Sequence, residues 1–202
     1  PWDYLDKEGN INERRLASIG RPCVNNRVAI LDEEGNELKR GHAGEICIQG
    51  DLVSPGYYKN PEATAEVRQF GWHHTGDVGV MDDEGFITIV DRKKDMIITG
   101  GFNVFPNEVE QVLNSHPAVQ DCAVIGVPDE KWGEAVNAIV QLKAAHECSE
   151  ETLIALCKRE LGGVKAPKSV EFVDDLPRSS AGKVLKTELR KKHWEGRERA
   201  VN

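Results

Sequence analysis

Residues 91–104, DRKKDMIITGGFNV, separate two kinds of sequence pattern. The polar run from Arg92 to Asp95 has no hydrophobic period, which is typical of a linker between compact units. Short β-rich runs dominate before this run, whereas helical and strand patterns alternate after it. We therefore predict two domains, residues 1–93 and residues 94–202, divided at the polar run.

The first part of the chain has the pattern of short strands. Runs such as VAILDEEGNEL, GEICIQG and GFITIVD are rich in β-branched residues and are punctuated by turn sequences at residues 34–36 and 83–85. Closely spaced strands joined by short turns pair in the antiparallel sense. We predict a small antiparallel β-barrel-like subdomain in this part of the chain.

The second part carries helix signals. Pro106 suits the first position of a helix, and apolar residues recur at helical spacing after it until Pro117. Ser149 is a good N-cap and Gly162 a good terminator for a second helix. Strands are predicted over residues 122–127, 135–142 and 168–173, and a charged helix from residue 187 to about residue 197. The predicted fold class is α+β, in which the barrel-like subdomain precedes a compact α+β C-terminal domain.

The composition indicates a globular protein and excludes several classes. The chain has 202 residues, 39% of them hydrophobic, and a net charge of −8, which argues against a nucleic-acid surface. No apolar run approaches the roughly 20 residues of a membrane span. The five cysteines form no C-x-x-C pair and predict reduced, buried thiols in the cytoplasm, and the histidine spacing predicts no metal site. Because the chain starts with Pro1 and has no signal peptide, we expect a fragment or a processed product.

Two clusters combine glycines with charged side chains. In WHHTGD, residues 72–77, a glycine precedes Asp77 between strand-like runs, so its carboxylate can accept hydrogen bonds from paired hydroxyls. A turn-stabilising aspartate is the alternative. In the second cluster Arg92 offers a rigid donor fork, while Gly100 and Gly101 allow a ligand to approach the backbone closely. An ordinary hairpin turn beside a solvated linker explains the second cluster as well.

A third cluster, PRSSAGKVLK at residues 177–186, places Lys183 after small residues that we expect to be flexible. A P-loop would need a glycine five residues before Gly182 and a serine or threonine after Lys183, but Pro177 and Val184 occupy those positions. Any anion that meets Lys183 is therefore held by other parts of the protein. A plain surface lysine is the alternative.

Together these segments resemble one family. GEICIQGDLVSPGYYKNPEAT, WHHTGDVGVMDDEGF, DRKKDMIITGGFNVFPNEVE and PRSSAGKVLK look like successive motifs of the adenylate-forming acyl-CoA synthetases, whose superfamily includes beetle luciferases and the adenylation domains of peptide synthetases. The resemblance runs from about residue 19 to residue 190.

The resemblance implies roles for four residues. Asp77 and Arg92 match residues that contact the ATP ribose, and Lys94 matches the hinge about which the small C-terminal domain rotates between two half-reactions. Lys183 matches the lysine that stabilises charge shared by the carboxylate and the α-phosphate during adenylation. The implied cofactors are ATP, Mg2+ and coenzyme A.

Other positions match the coenzyme A side of the family's site. The turn at Gly100 and Gly101 is expected to line the pantetheine tunnel, and Trp132 matches a position that touches the coenzyme A nucleotide. A core or rim tryptophan is an equal alternative for Trp132. Lys165 and Lys168 are candidates for the coenzyme A phosphates, unless they simply line a solvated strand edge.

The chain also departs from the family pattern. The family's phosphate loop, its Thr-Glu motif and its acyl pocket have no counterpart here, and Phe102 stands where many members carry Glu. We expect the C-terminal part of a cytoplasmic acid:CoA ligase for a fatty or aromatic acid, which needs the missing N-terminal domain as its partner and is inactive alone. The alternatives are an acyl-adenylate ligase for a carrier protein, a luciferase-like oxygenase, and a non-catalytic module that kept the fold.

Overall fold

The computed structural model describes residues 4, 5 and 8–196. The chain divides into two compact units, Pro1–Lys93 and Lys94–Asn202. The first unit contains antiparallel strands and two short helices, and the second contains a mixed sheet and three longer helices. The predicted α+β fold class is confirmed.

The first unit is built on a five-stranded antiparallel sheet with the order β1-β2-β4-β3, in which β5 also pairs with β4. Its elements are α1 (Glu13–Leu16), β1 (Asn26–Leu31), β2 (Ala43–Gly50), α2 (Pro61–Glu66), β3 (Arg68–Gln69), β4 (Trp72–Met81) and β5 (Ile87–Arg92). Strand β3 pairs with the start of β4, and β5 pairs with its second half. The ten-residue β4 therefore organises the whole sheet.

Both faces of this sheet are apolar because successive side chains of a strand point to opposite sides. Ala29, Leu31, Cys47 and Trp72 form one buried cluster. Residues from the same strands form the second cluster, which contains Ile30, Ile46, Met81 and Ile87. Two-sided burial explains why apolar residues occupy consecutive positions in both strands, residues 28–31 in β1 and residues 46–48 in β2.

The second unit contains a five-stranded sheet with the order β10-β9-β6-β7, in which β8 also pairs with β9. Its elements are β6 (Ile97–Thr99), β7 (Phe102–Val104), α3 (Pro106–Asn114), β8 (Val119–Asp129), β9 (Gly133–Leu142), α4 (Glu150–Leu161), β10 (Ser169–Val173) and α5 (Lys186–Trp194). A 3-10 turn, Lys93–Asp95, precedes β6. Strand β10 pairs with β9 in the parallel sense, and the other pairs are antiparallel.

Helices cover both faces of the second sheet. Helices α3 and α4 bury Val109, Leu113, Leu153 and Cys157 in one cluster that also contains side chains of β8 and β9. On the other face, Leu189 of α5 packs in a second cluster with residues of β8 and β9 such as Ala123, Ile125 and Ile139. The second unit is thus a three-layer arrangement with the sheet in the middle.

The predicted helix boundaries are confirmed where the signals are local. Pro106 is the first residue of α3. The Ser149 side chain accepts a hydrogen bond from Thr152 N–H at the start of α4, which ends at Gly162 with a φ of 82°. The last strand starts at Ser169, one residue later than predicted. Helix α5 ends at Trp194, and residue 197 lies outside the described residues.

Burial of the thiols is only partly as predicted. All five cysteines are free; Cys47, Cys122 and Cys157 are buried. The prediction is wrong for Cys23, which is exposed, and for Cys148, which is half-buried. Among the residues described here, no helix is long and apolar enough to cross a membrane.

Candidate functional site

The TGD motif lies in a bulge inside β4, not in a turn between strands as the sequence suggested. Between the pairs Glu45–Val78 and Cys47–His74, three residues of β4 stand opposite Ile46 alone. These three residues are Thr75, Gly76 and Asp77. Gly76 has a φ of 73°, a left-handed conformation that residues other than glycine rarely adopt, and this conformation allows the local bend. Bulges of this kind redirect the side chains that follow them.

Side chains hold the bulge where regular ladder bonds are interrupted. The Thr75 hydroxyl donates to Ile46 O at 2.7 Å and accepts from Asp77 N–H at 3.1 Å. The Gly76 N–H donates to Glu45 Oε1 at 3.1 Å. The backbone immediately before Asp77 is therefore fixed by two side chains.

The two residues expected to contact ribose lie side by side. Asp77 pairs with Arg92 across β4 and β5, and Arg92 Nε lies 2.7 Å from Asp77 Oδ1. The side chain of Asp77 is 23% exposed and that of Arg92 is 57% exposed, so a ligand can reach both. A carboxylate acceptor next to guanidinium donors has the hydrogen-bonding groups that a ribose diol needs.

A buried ionic cluster lies behind this pair. Glu45 Oε2 accepts from Lys93 Nζ at 2.9 Å and lies 3.0 Å from His74 Nδ1. The Glu45 side chain is only 7% exposed. Burial opposes its ionisation, but hydrogen bonds from His74 and Lys93 outweigh burial and hold the pKa of the Glu45 carboxyl below its ordinary value.

Our sequence reading missed Glu45, although a signal for it exists. Strand β2 alternates, so Glu45 lies on the same face as the fully buried Cys47. A charged residue on a core-facing position requires a partner. The partners, His74 and Lys93, lie 29 and 48 residues away along the chain, so spacing alone does not reveal them.

Glu45, Cys47 and His74 also bring three groups of metal-ligand type within 4.8 Å of one another. Two features disfavour a cation there. The ammonium group of Lys93 already forms an ion pair with the Glu45 carboxylate. Burial, and secondly the charge of Glu45, raise the pKa of the Cys47 thiol to about 12, so that it is neutral at ordinary pH. The prediction that the chain has no metal site remains a prediction.

The candidate hinge lies in the 3-10 turn, where Lys94 is exposed. Its neighbour Asp95 forms an ion pair with Arg190 of α5, and both side chains are largely buried. The start of the second unit is therefore anchored to that unit's last helix directly after Lys94.

Gly100 and Gly101 form the tight turn between β6 and β7, with φ values of 57° and 81°. Gly100 N–H donates to Trp132 O at 2.8 Å. A Cβ added to Gly100 would lie 2.4 Å from Trp132 Cε3, whereas one added to Gly101 would meet no atom within 4 Å. The structure thus brings together Gly100 and Trp132, which sequence reasoning selected separately, and leaves the indole 43% exposed.

The other candidates for coenzyme A binding are engaged within the second unit. Lys165 Nζ lies 2.5 Å from Glu108 Oε2, and Lys168 Nζ donates to Gly163 O at 2.9 Å. Phe102, at the departure from the family pattern, is 59% exposed beside the glycine turn. An exposed aromatic ring at this position makes the surface around the turn apolar.

The loop that carries Lys183 is a small hairpin that several hydrogen bonds hold, and the flexibility expected from its small residues stays a prediction. Ser179 N–H donates to Lys183 O at 2.8 Å, and Leu185 N–H donates to Pro177 O at 2.8 Å. Arg178 donates to Gly182 O at 3.0 Å and forms an ion pair with Asp121 of β8. We call residues 177–185 the lysine hairpin; at its end the Lys183 side chain is exposed.

Comparisons with known proteins show which family the chain resembles. The family model of AMP-binding enzymes matches residues 5–58, and that of the AMP-binding enzyme C-terminal domain matches residues 108–183. A medium/long-chain-fatty-acid–CoA ligase of Mycobacterium tuberculosis is 49% identical over 98% of this chain and 36% of its own length. A feruloyl-CoA synthase of Amycolatopsis sp is 44% identical over 88% of this chain and 36% of its own length.

A solved structure supports the same relationship. ATP-bound MatB from Rhodopseudomonas palustris superimposes with a TM-score of 0.81 and 39% identity, over 87% of this chain and 35% of that one. The fold and motifs are those of an adenylate-forming enzyme. The chain belongs to the superfamily of AMP-forming synthetases and ligases and corresponds to its C-terminal portion. It spans about a third of the length of these relatives, 36% in the case of the Mycobacterium tuberculosis ligase.

Proposed function

We propose that this chain is the C-terminal part of an ATP-dependent acid:CoA ligase. The observation that carries the proposal is the pairing of Asp77 with Arg92 across β4 and β5, beside the bulge of β4, at 2.7 Å and accessible to solvent. A structural aspartate in a turn would need neither the bulge nor the adjacent guanidinium. In this proposal the Asp77 carboxylate accepts from the ribose hydroxyls of ATP, and Arg92 donates to the ribose oxygens.

The proposed reaction has two steps. An oxygen of the acid attacks the α-phosphorus of ATP, and the bond to pyrophosphate breaks. The coenzyme A sulfur then attacks the acyl carbon, and the bond to AMP breaks. Lys183 supports the first step because its exposed ammonium can approach negative charge that develops between the carboxylate and the phosphate. Mg2+ would neutralise part of the charge of the ATP phosphates, and we assign it no ligand among the described residues.

The second step is assigned to the glycine turn. Gly100 and Gly101 present backbone without side chains, so a narrow thiol-bearing arm can pass close to it. Trp132 lies against Gly100 and offers an exposed aromatic face for the nucleotide of coenzyme A. We propose that the first unit is the last subdomain of the large N-terminal domain, that the second is the mobile C-terminal domain, and that Lys94 is the hinge. A cytoplasmic location belongs to the same proposal, and five free cysteines support it.

The acid is proposed at the level of a class. The relatives named above act, by their names, on medium- and long-chain fatty acids and on ferulic acid, so a fatty or an aromatic acid is proposed. The test is AMP release from ATP by the longer protein that carries this chain, over a panel of short, long and aromatic acids, with and without coenzyme A. Release that requires both an acid and coenzyme A supports the proposal.

The other outcomes of this test separate the alternatives. Formation of a bound acyl adenylate that free coenzyme A does not discharge would identify a ligase for a carrier protein. Light or an oxidised product that depends on oxygen would identify a luciferase-like oxygenase. No AMP with any acid would contradict the proposal and favour a non-catalytic module.

A further inference from the structure

Glu45 occupies an unusual position relative to the proposed ribose contacts. It belongs to β2, yet its two carboxylate oxygens contact the chain on either side of the Asp77–Arg92 pair. Oε1 accepts from the N–H of Gly76, which directly precedes Asp77. Oε2 accepts from Nζ of Lys93, which directly follows Arg92. One buried carboxylate therefore links the two chain segments that carry the pair.

The contacts of Glu45 replace bonds that a regular sheet would supply. The register shift between Glu45 and Cys47 interrupts the β2–β4 ladder at the bulge. Without a side-chain acceptor, the Gly76 N–H would be left without its bond in a partly buried position, which is costly. The Thr75 hydroxyl satisfies the neighbouring Asp77 N–H in the same way. The bulge thus depends on a carboxylate from β2 for its shape.

We propose that Glu45 is a positioning residue for nucleotide binding: it holds Asp77 and Arg92 in the orientation that reads the ribose hydroxyls. This inference rests on the proposed function. Glu45 does not touch the nucleotide in this proposal; it acts through Gly76 on one side and through Lys93 on the other. Loss of Glu45 would therefore weaken recognition of the ribose hydroxyls and leave the remaining nucleotide contacts in place.

The chemistry of the cluster requires a carboxylate and not merely a polar side chain. All the groups within hydrogen-bond distance of the two oxygens are suited to donate: the Gly76 N–H, the Lys93 ammonium and His74 Nδ1. His74 Nε2 lies 3.3 Å from Gln69 O, and its Nδ1 also lies 3.4 Å from Cys47 Sγ. An amide in place of the carboxylate has the same shape but turns an N–H2 group toward one of these donors.

The decisive experiment compares two nucleotides in the longer protein. The acid-dependent exchange of pyrophosphate into the nucleotide is measured with either ATP or 2′,3′-dideoxy-ATP as the substrate. The proteins compared are the unmodified protein, Glu45→Gln and Asp77→Asn. We expect Glu45→Gln to lower kcat/KM for ATP about tenfold and that for the dideoxy analogue less than about twofold, mainly through KM. We expect Asp77→Asn to narrow the preference for ATP in the same way, and the double variant to lose little more than either single one.

Glu37→Gln is the matched control, because Glu37 lies in the same unit and pairs with Arg27 at 2.7 Å on the surface. It should keep the nucleotide preference of the unmodified protein. If Glu45→Gln lowered kcat/KM equally for ATP and for the dideoxy analogue, Glu45 would have a merely structural role and the inference would be overturned. Unchanged kinetics of Glu45→Gln with ATP would also overturn it. Where Glu45→Gln does not fold, Lys93→Met removes one donor without altering the buried carboxylate and should shift the preference in the same direction, by about threefold.

The same measurement separates this inference from the function on which it rests. No acid-dependent exchange by the unmodified protein would overturn the proposed function and the inference together. Exchange by the unmodified protein, combined with an unchanged nucleotide preference in Glu45→Gln, or in Lys93→Met where Glu45→Gln does not fold, would overturn the inference alone.

Discussion

At the residue scale, the ammonium group of Lys183 is presented differently from three basic groups of the second unit that form ion pairs. Lys165, Lys186 and Arg190 have carboxylate partners at Glu108, Glu110 and Asp95. The side chain of Lys183 is exposed at the end of a hairpin whose backbone is held by hydrogen bonds. Because its backbone is held and its ammonium group is exposed, Lys183 is suited to contact negative charge on a bound ligand.

This presentation predicts how the two half-reactions respond to Lys183→Ala. Formation of the acyl adenylate should fall at least about a hundredfold because the stabilising charge is lost. Thioester formation from a supplied acyl adenylate should continue at the normal rate. Rapid-quench measurement of each step in the longer protein checks this, with the exposed Lys158 of α4 changed to alanine as the control. Equal loss in both steps would contradict the role of Lys183.

Sequence reasoning selected residues that stand in recognisable motifs and missed a residue whose position depends on distant partners. Asp77, Arg92 and Lys183 were selected from their motifs, and the structure brings the first two into contact. Their proposed roles await the experiments above. Glu45 was missed because its donors, such as His74 and Lys93, lie far away along the chain, so no local sequence pattern reveals them.

At the element scale, the β6–β7 turn tests how close packing shapes a candidate binding surface. Gly100→Ala should cost about 2–4 kcal/mol, since a Cβ there meets both an unfavourable backbone conformation and the Trp132 ring. Gly101→Ala has only the backbone penalty, about 1–2 kcal/mol. Chemical denaturation of the chain, followed by circular dichroism, measures both values.

A second replacement isolates the steric part of this prediction. Trp132→Ala combined with Gly100→Ala removes the contact, so the further cost of the glycine change should fall to that seen at Gly101. Equal costs for Gly100→Ala and Gly101→Ala in the presence of Trp132 would show that the indole does not press on the turn.

Elements with local signals were predictable, whereas a short strand or a bulge that exists only through pairing was not. Helix α4 begins at a capping serine and ends at a glycine, so its bounds follow from the sequence. Helix α2 also has a cap, because Asn60 Oδ1 accepts from Ala63 N–H, but its six residues bury no side chain and give no apolar period. Strand β3 has two residues and exists only through its pairing with β4. The bulge in β4 likewise needs β2 opposite it.

At the scale of the whole molecule, the chain divides into its two compact units between Lys93 and Lys94, next to the proposed hinge. Lys94→Pro restricts φ at this point, so we expect adenylation to continue and thioester formation to fall in the longer protein. Lys94→Ala keeps the backbone freedom and is the matched control. Single-turnover rates of the two steps provide the measurement. Normal turnover of Lys94→Pro would place the hinge at another residue.

Stability toward acid is also a property of the whole chain, because each unit contains a buried or partly buried carboxylate with a lowered pKa. Burial opposes the ionisation of both Glu45 and Glu171, but hydrogen bonds and cationic partners outweigh it. A folded-state pKa below the ordinary value of 4.5 means that ionisation favours the folded state above that pH. This stabilisation is lost as the pH falls through the folded-state pKa.

We therefore expect the thermal midpoint of the chain to fall between about pH 5 and pH 3, and to fall less steeply in Glu45→Gln. Glu171→Gln should have the corresponding effect on the second unit. Differential scanning calorimetry across this pH range checks both. If the thermal midpoints of the variants changed with pH in the same way as that of the unmodified chain, ionisation of these carboxylates would not be linked to stability.

The lysine hairpin has a consequence for time as well as for position. Its backbone is held by hydrogen bonds within the hairpin and by Arg178 to β8, so we expect Lys183 to move together with the second unit. Loops that swing freely do so in nanoseconds to microseconds, whereas whole domains turn in microseconds to milliseconds. In the proposed ligase, Lys183 would therefore approach and leave the reacting groups only as fast as its domain rotates. The friction of the solvent on this rotation would then contribute to the duration of each catalytic cycle.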